Sequence, residues 1–195
     1  MCSVRAFLAV PLPPGLKEAI GTLQKTLRTG IPEARWTHPE NLHLTLHFFG
    51  ETTQESLEKI RVSMLSVKGC QRPFTVDVIR LGAFPGPHRP RVIWLGLEPG
   101  EPLRQLHERC LSALHAGGVA TEQRPYSPHL TIGRMRQQKP DLAEHCRSVA
   151  RTAIGRLPVD RLILYESRLH PGGAEHIPLF TVNLDDRLGN PEQTG

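Results

Sequence analysis

The chain has 195 residues, of which 38% are hydrophobic and 22% are charged, and its formal net charge at pH 7 is +5. These values are typical of a soluble globular protein with one domain or two closely joined lobes, and no apolar run is long enough to span a membrane. The small cationic excess suits a polyanionic ligand but does not by itself indicate nucleic-acid binding.

The first half of the chain alternates predicted strands and helices, because hydrophobic patterns of period two and period 3.6 follow one another. In order, the predicted elements are a strand over 4–12, a helix over 14–29, a strand over 41–49, a helix over 54–67, and a hairpin of strands over 74–81 and 91–97. The segment that carries Trp36 is predicted to be a loop. Residues 50–53 are predicted to form a turn in which Thr53 caps the next helix.

The second half continues in the same manner. Its predicted elements are a helix over 102–116, a strand over 127–135, a helix over 141–151, and strands over 159–166 and 176–184. The polar residues over 185–195 are predicted to form a disordered tail, which leaves residues 1–184 as a single folded domain. Composition and periodicity together predict a mixed α/β fold of the α+β type.

A repeated tripeptide is the most informative feature of the sequence. His-Leu-Thr occurs at residues 43–45 and again at 129–131, each time within a predicted strand. The composition predicts about 0.09 copies by random placement, so chance does not account for two. Because residues two apart on a strand point to the same face, each copy places one imidazole beside one hydroxyl.

The two copies lie 86 residues apart (129 − 43) and have helices and strands around them in similar order. We therefore predict two pseudo-symmetric lobes, each a mostly antiparallel sheet with outer helices, and an active-site cleft between them. The cleft would hold His43, Thr45, His129 and Thr131. Two histidines, one neutral and one protonated, supply a base and an acid near neutral pH, and so suit phosphate-ester chemistry. The near-symmetry of the copies leaves open which histidine is the acid.

The cysteines exclude two other classes of protein. The four residues, Cys2, Cys70, Cys110 and Cys146, are scattered and form no C-x-x-C pair, which excludes a zinc ribbon and a dithiol redox motif. No carboxylate cluster that would hold a divalent cation is recognisable, so we expect neither a metal nor a cofactor.

The N-terminal segment lacks the ordered regions of a secretory signal, and we expect a cytoplasmic monomer without membrane attachment.

The repeated motif and its flanks resemble the 2H phosphoesterases, and among them the RNA 2′,3′-cyclic phosphodiesterases, which are also called 2′-5′ RNA ligase-like proteins. The matching segments are residues 5–10 (RAFLAV), Trp36, 41–46 (NLHLTL), 48–50 (FFG), 91–96 (RVIWLG), 128–134 (PHLTIGR) and 164–167 (LYES). The resemblance spans about residues 4–184, which is nearly the whole chain.

This resemblance implies a reaction and a role for each motif residue. The reaction would be metal-independent hydrolysis of RNA 2′,3′-cyclic phosphate ends, and of nucleoside 2′,3′-cyclic phosphates, to 2′-phosphates. His43 would be the proton donor and His129 the proton acceptor, while Thr45 and Thr131 would donate hydrogen bonds to the phosphate. RNA with a cyclic end, or a cyclic nucleotide, would be the partner, and the family name implies reversible 2′-5′ RNA ligation as a further activity.

Two basic residues after the motifs are candidates for substrate binding. Arg134 occupies the basic position that follows the second motif in the family. Strict alternation places it on the face opposite to His129, so contact with the phosphate requires a bend near Gly133. His47 is predicted to lie on the same face as His43, where relatives often have Lys or Arg.

Three aromatic residues, Trp36, Phe49 and Tyr126, are candidate platforms on which a base could stack. His176 stands where an aromatic residue is expected in relatives. Five further histidines have no matching partner pattern and are predicted to lie on the surface; they are His38, His107, His115, His145 and His170.

Three alternatives to the leading function remain open at this stage. Within the same superfamily, the enzyme could trim oligouridine tails or open a cyclic phosphate on ADP-ribose. In a different class, the chain could be an RNA-binding module without turnover. The presence of both histidines and both threonines argues against the last alternative, because binding alone does not require an acid–base pair.

Overall fold

The structure is a computed structural model that describes residues 3–121, 125–136, 141–149, 153–171 and 173–185. Within these ranges the strands are β1 (Ser3–Pro11), β2 (Ala34–Trp36), β3 (His43–Thr53), β4 (Phe74–Phe84), β5 (Val92–Glu98), β6 (His129–Met135), β7 (Ala153–Val159), β8 (Arg161–His170) and β9 (Gly173–Asn183). The helices are α1 (Pro14–Gly30), α2 (Gln54–Leu65), α3 (Glu101–Ala116) and α4 (Ala143–Ser148), with a 3₁₀ turn over Pro39–Asn41.

The strands form two antiparallel sheets. In spatial order, the first sheet is β3-β1-β8-β9 and the second is β2-β6-β5-β4-β7. The chain passes from one sheet to the other several times, since β2 belongs to the second sheet although it lies between β1 and β3 in sequence. The two strands with the repeated motif, β3 and β6, belong to different sheets and contact each other. The predicted α/β fold with antiparallel sheets is therefore confirmed.

Burial of alternate residues explains why the motif segments form strands. Leu44 and Leu46 of β3, like Leu130 and Ile132 of β6, are buried in the hydrophobic core. Burying such side chains is worth about 1.5–3 kcal/mol each, which holds each strand with its motif histidine and threonine on the opposite face.

The helices cover the sheets through amphipathic faces. α1 buries Leu16, Ile20 and Leu27 and packs against β7 of the second sheet. α2 packs against α3 and begins at the predicted cap, because the Thr53 hydroxyl accepts a hydrogen bond from the Ser56 amide. None of the helices in the described ranges is both long and apolar enough to cross a lipid bilayer.

Two predictions about the first half are wrong. Trp36 does not lie in a loop, because Ala34–Trp36 pairs with β6 as the short strand β2. Residues 50–53 do not form a turn, because β3 continues to Thr53, opposite Ser3 of β1. Gly50 takes a φ of +72° next to a shift in the β1–β3 register, so this glycine marks a bulge inside a strand and not the end of one.

The second half also differs from prediction. Val159 ends β7, which was not predicted, and β8 begins only at Arg161. β7 contains Gly155 and Pro158, which weaken the strand signal but are tolerated because β7 lies at the edge of its sheet. The helix predicted over 141–151 is shorter, at Ala143–Ser148, and its last two predicted residues lie outside the described ranges. The predicted tail also lies outside them, apart from Asp185.

Candidate active site

A cavity of about 1190 Å³ lies where β3 of the first sheet meets β6 of the second. It is lined by His43 and Thr45 from β3 and by Thr131 and Arg134 from β6, so both motif strands contribute to one site. The 3₁₀ turn over Pro39–Asn41, one face of α1, and the ends of β8 and β9 complete its walls.

The His43 imidazole is fixed in one tautomer by its own segment. Its Nδ1 lies 2.8 Å from the backbone oxygen of Asn41. A carbonyl oxygen can only accept a hydrogen bond, so Nδ1 carries the proton and Nε2 holds the lone pair of the neutral ring. No other described group hydrogen-bonds this ring, which leaves Nε2 available to a ligand in the cavity.

Aromatic rings surround His43 and change its acidity. Its ring centroid lies 4.7 Å from that of Phe7 and 4.9 Å from that of His176. Burial, together with a smaller contribution from the neighbouring His176, lowers the pKa of His43 to about 4, against the opposing effect of the hydrogen bond to the Asn41 carbonyl. His43 is therefore neutral in the free protein at pH 7.

His129 is held by an equivalent hydrogen bond. Its Nδ1 lies 2.7 Å from the backbone oxygen of Ser127, two residues earlier, as Asn41 is two residues before His43. The ring packs edge-on against Phe84 and Trp94. His129 is not among the residues that line the cavity, but it lies two residues from Thr131, on the same face of β6.

Both motif threonines direct a free hydroxyl toward the site. Thr45 and Thr131 are half-buried and line the cavity. Within the described ranges neither hydroxyl is bonded to another protein group, so each can donate a hydrogen bond to a bound anion. The backbone oxygen of Thr45 accepts a hydrogen bond of 3.1 Å from the Tyr126 hydroxyl, which fixes this part of β3.

The same irregularity follows both motifs. In β3, the pairing with β1 passes from Thr45 to His47 and leaves Leu46 unpaired; in β6, the pairing with β5 passes from Thr131 to Gly133 and leaves Ile132 unpaired. A one-residue bulge reverses which face the following side chains occupy.

The bulge in β3 corrects two predictions. His47 does not share a face with His43, because it follows the bulge, and it is buried with its ring 4.8 Å from that of Phe49. Neither His47 nor Phe49 lines the cavity. Phe48 lines it in their place and is half exposed.

The bulge in β6 provides the bend that Arg134 requires. Arg134 is exposed, and it lines the cavity together with Thr131, as Phe48 does at the equivalent position of β3. The guanidinium of Arg5 lies 5.0 Å above the Phe48 ring and lines the same cavity. A cation is thus present at both equivalent positions. For β6 it is Arg134 of the strand itself, and for β3 it is Arg5 of the adjacent strand β1.

The two remaining aromatic candidates have different surroundings. Trp36 lines the cavity and packs on Gly133, where an added Cβ would lie 3.1 Å from the indole ring. Tyr126 does not line it; its ring stacks on that of His107, with the ring centroids 4.2 Å apart. His107 is itself buried, which corrects the prediction that it lies on the surface.

Sequence reasoning missed several residues of the cavity, among them Arg5, Phe7, Lys25, Arg28 and Arg35. Period-two alternation in the first predicted strand places Arg5 and Phe7 on one face, which is the signal that could have found them. In the described part of the chain, no group of three or more His, Cys, Asp and Glu side chains is arranged to hold a metal ion.

Comparison with known proteins shows which protein family has a similar sequence. The family model for LigT-like phosphoesterases matches residues 10–94 and again 95–174, with one motif in each match. The RNA 2′,3′-cyclic phosphodiesterase of Methanothermobacter thermautotrophicus is 34% identical over 180 residues, which is 91% of this chain and 95% of that protein.

Solved structures agree with this result. A Thermus thermophilus protein has a TM-score of 0.77 at 27% identity, with 92% of this chain and 97% of that chain covered. The crystal structure of E. coli LigT complexed with 3′-AMP has a TM-score of 0.73 at 27% identity, with 94% and 99% covered. These matches confirm the predicted resemblance to the phosphoesterases and the prediction that the chain is an enzyme.

Proposed function

This chain belongs to the LigT-like phosphoesterase family, and we propose that it hydrolyses 2′,3′-cyclic phosphates at RNA ends and in nucleoside 2′,3′-cyclic phosphates, without a metal, to give 2′-phosphates. The observation that carries the proposal is the pair of histidine–threonine motifs on the contacting strands β3 and β6, of which His43, Thr45 and Thr131 line one basic cavity. We further propose that residues 1–184 act as one bilobal unit and as a monomer.

The substrate class follows from the chemistry of ribose. A 2′,3′-cyclic phosphate requires a 2′-hydroxyl, so it occurs on RNA and ribonucleotides and not on DNA. The curated relatives that are similar over most of this chain carry the name RNA 2′,3′-cyclic phosphodiesterase, which supports the same substrate here.

Two proton transfers accompany hydrolysis. A base takes a proton from the attacking water as its oxygen bonds to phosphorus, and an acid gives a proton to the 3′ oxygen as the P–O3′ bond breaks. We assign His129 as the acceptor and His43 as the donor. Because His43 is neutral in the free protein, it must gain its proton with the substrate, whose anionic phosphate raises the pKa of a nearby imidazole.

The remaining groups stabilise charge. Negative charge collects on the two non-bridging oxygens in the transition state, and the hydroxyls of Thr45 and Thr131 are free to donate hydrogen bonds to them. Arg134 and Arg5 add positive charge at the same cavity. Formation of a 2′-5′ RNA bond would use the same groups in the same roles, with the 5′-hydroxyl of a second RNA in place of water: its oxygen bonds to phosphorus as it loses its proton, and the P–O3′ bond breaks as the 3′ oxygen gains one. Cleavage of that 2′-5′ bond back to the cyclic phosphate is the reverse of this step by microscopic reversibility.

The test is hydrolysis of the four nucleoside 2′,3′-cyclic phosphates in excess EDTA, with separation of 2′- from 3′-monophosphate products. We expect turnover that EDTA does not reduce and a 2′-phosphate product. Activity that EDTA abolishes would refute the metal-free mechanism, and a 3′-phosphate product would refute the bond assignment. Absence of turnover on these compounds and on RNA with a cyclic end would refute the substrate.

A further inference from the structure

The cavity continues beyond the motif residues along one face of α1. Gly21, Gln24, Lys25 and Arg28 all line it, and their spacing of i, i+3, i+4 and i+7 is that of a single helix face. At a rise of 1.5 Å per residue, this face extends the site by about 10 Å along the helix axis. Lys25 and Arg28 are exposed on it.

Strand β2 connects this helix face to the motif residues. Arg35 of β2 lies directly opposite Arg134 of β6 in the antiparallel register, and both arginines line the cavity. Gln24 ties α1 to the same place, since its side-chain nitrogen donates to the backbone oxygens of Thr37 at 2.8 Å and Ile132 at 2.9 Å. Basic side chains therefore lead from Thr131 outward along β2 and α1.

These cations have no neutralising partners on the protein. Within the described ranges, none of Lys25, Arg28, Arg35 and Arg134 forms an ion pair. The two carboxylates that line the cavity have other partners: Glu40 pairs with Lys17, and Glu175 lies 3.3 Å from His170. Like charges directly opposite on paired strands, such as Arg35 and Arg134, are unfavourable unless an anion lies between them.

The cavity is large enough to hold more than one nucleotide. Sites for small ligands are typically about 300–1000 Å³, and this cavity is about 1190 Å³. Basic grooves that bind single-stranded nucleic acid follow the phosphodiester backbone in this manner.

We propose that Lys25, Arg28 and Arg35 form a binding site for the phosphodiester backbone that precedes the cyclic end, and that short single-stranded oligoribonucleotides are better substrates than mononucleotides. The inference rests on the proposed function, whose reaction it places at one end of this basic track.

The experiment compares oligoadenylates of one to six nucleotides, each ending in a 2′,3′-cyclic phosphate, by kcat/KM. For the wild-type chain we expect kcat/KM to rise about tenfold or more from one nucleotide to four, mainly through KM. The double variant Lys25→Ala/Arg28→Ala should lose most of this gain, and Arg35→Gln should lose part of it. Arg109→Ala provides the matched control, because Arg109 is an exposed helical arginine of α3 that does not line the cavity.

Salt dependence gives a second measurement. Each phosphate contact to a single strand contributes about 0.7 to the slope of log affinity against log salt concentration, so the double variant should lower that slope by about 1.4 for the tetranucleotide. Arg109→Ala should leave it unchanged. Circular dichroism and thermal melting verify that each variant is folded.

The outcomes separate this inference from the proposed function. Efficient hydrolysis of cyclic mononucleotides with no gain from added nucleotides would overturn the backbone site and leave the reaction intact. A gain that the variants retain would also overturn it. Preference for a cyclic phosphate of ADP-ribose, lost in the double variant, would reassign the cations to a pyrophosphate, whereas no turnover of any cyclic phosphate would refute the proposed function itself.

Discussion

The two motif strands have similar backbone geometry and different surroundings. In both, the histidine Nδ1 bonds the carbonyl two residues earlier, and a bulge follows the threonine. His43, however, lies among Phe7 and His176 with a pKa of about 4, whereas His129 lies at the edges of Phe84 and Trp94. The motif thus sets the position of each imidazole, and at His43 the surrounding side chains provide the burial that lowers its pKa.

The strands also differ in how they supply positive charge. After its bulge, β6 directs Arg134 into the cavity itself. After the equivalent bulge, β3 directs Phe48, and the cation above that ring is Arg5 of β1. Equivalent positions in a duplicated architecture can therefore carry the same charge through different residues.

Loss of either motif histidine should have the largest effect. We expect His43→Ala and His129→Ala each to lower kcat on a cyclic nucleotide by about 10²- to 10⁴-fold, because each removes one proton transfer, while KM changes little. The double variant should be only slightly slower than either single variant, since the two residues act as a unit.

The control for this prediction is His88→Ala, because His88 is exposed and does not line the cavity. A loss confined to one of the two motif histidines would show that the symmetry of the strands does not extend to the chemistry. Retention of activity in both would remove the acid–base mechanism.

Replacement of the two cations should have a smaller effect and tests their equivalence. Arg134→Ala and Arg5→Ala should each lower kcat/KM by about tenfold, since each deletes one charge near the phosphate. Phe48→Leu should reproduce part of the Arg5 loss, because it removes the ring over which the guanidinium lies.

The conservative variants Arg134→Lys and Arg5→Lys should recover part of the activity if charge is what matters. An unchanged kcat/KM in Arg5→Ala would show that the β3 motif does not need a cation and that Arg5 is not functionally equivalent to Arg134.

Much of this site could be predicted from the repeated motif, because strand alternation is a local property. Alternation places His43 beside Thr45 and His129 beside Thr131, and it buries the leucines between them. The resemblance to known phosphoesterases then indicated the reaction class.

The positions after each motif could not be predicted, because the bulges depend on pairing with another strand. His47 and Phe49 were expected in the cavity, and the unpaired Leu46 moves both away from it. The equivalent bulge in β6, at Ile132, directs Arg134 into the cavity. The cations of α1 were missed because their importance arises only when β2 places that helix against the second sheet.

The acidity of His43 predicts how stability changes with pH. The folded protein resists protonation of His43 down to about pH 4, whereas the unfolded chain takes up that proton near pH 6.5. The free energy of unfolding should therefore fall as the pH is lowered through this window, by up to about 1.4 kcal/mol per pH unit from this group. Above pH 6.5 the His43 imidazole is neutral in both the folded and the unfolded chain, so this loss of stability is absent there.

Denaturant unfolding at pH 7, 6, 5 and 4 measures this slope. Burial also lowers the pKa of His107 and His176, so the contribution of His43 is the difference between the wild-type chain and His43→Gln. Parallel stability curves for these two proteins would show that His43 is protonated in the folded state as readily as in the unfolded chain.

The smallest effect concerns the contact that joins the two halves of the site. Tyr126 lies three residues before His129, yet its hydroxyl donates to the backbone oxygen of Thr45 on the other motif strand. Tyr126→Phe keeps the ring against His107 and removes only this bond, so we expect kcat to fall about two- to fivefold with little change in melting temperature.

The informative readout is coupling between Tyr126 and Thr45. If the bond acts by positioning the Thr45 hydroxyl, then Tyr126→Phe should have no further effect on kcat once Thr45→Val has removed that hydroxyl, and its effect should persist in Thr131→Val. Equal effects in both backgrounds would mean that the bond stabilises the cavity in general. The unequal result would show that the segment leading into one motif positions the hydrogen-bond donor of the other, so that the two copies function as one site.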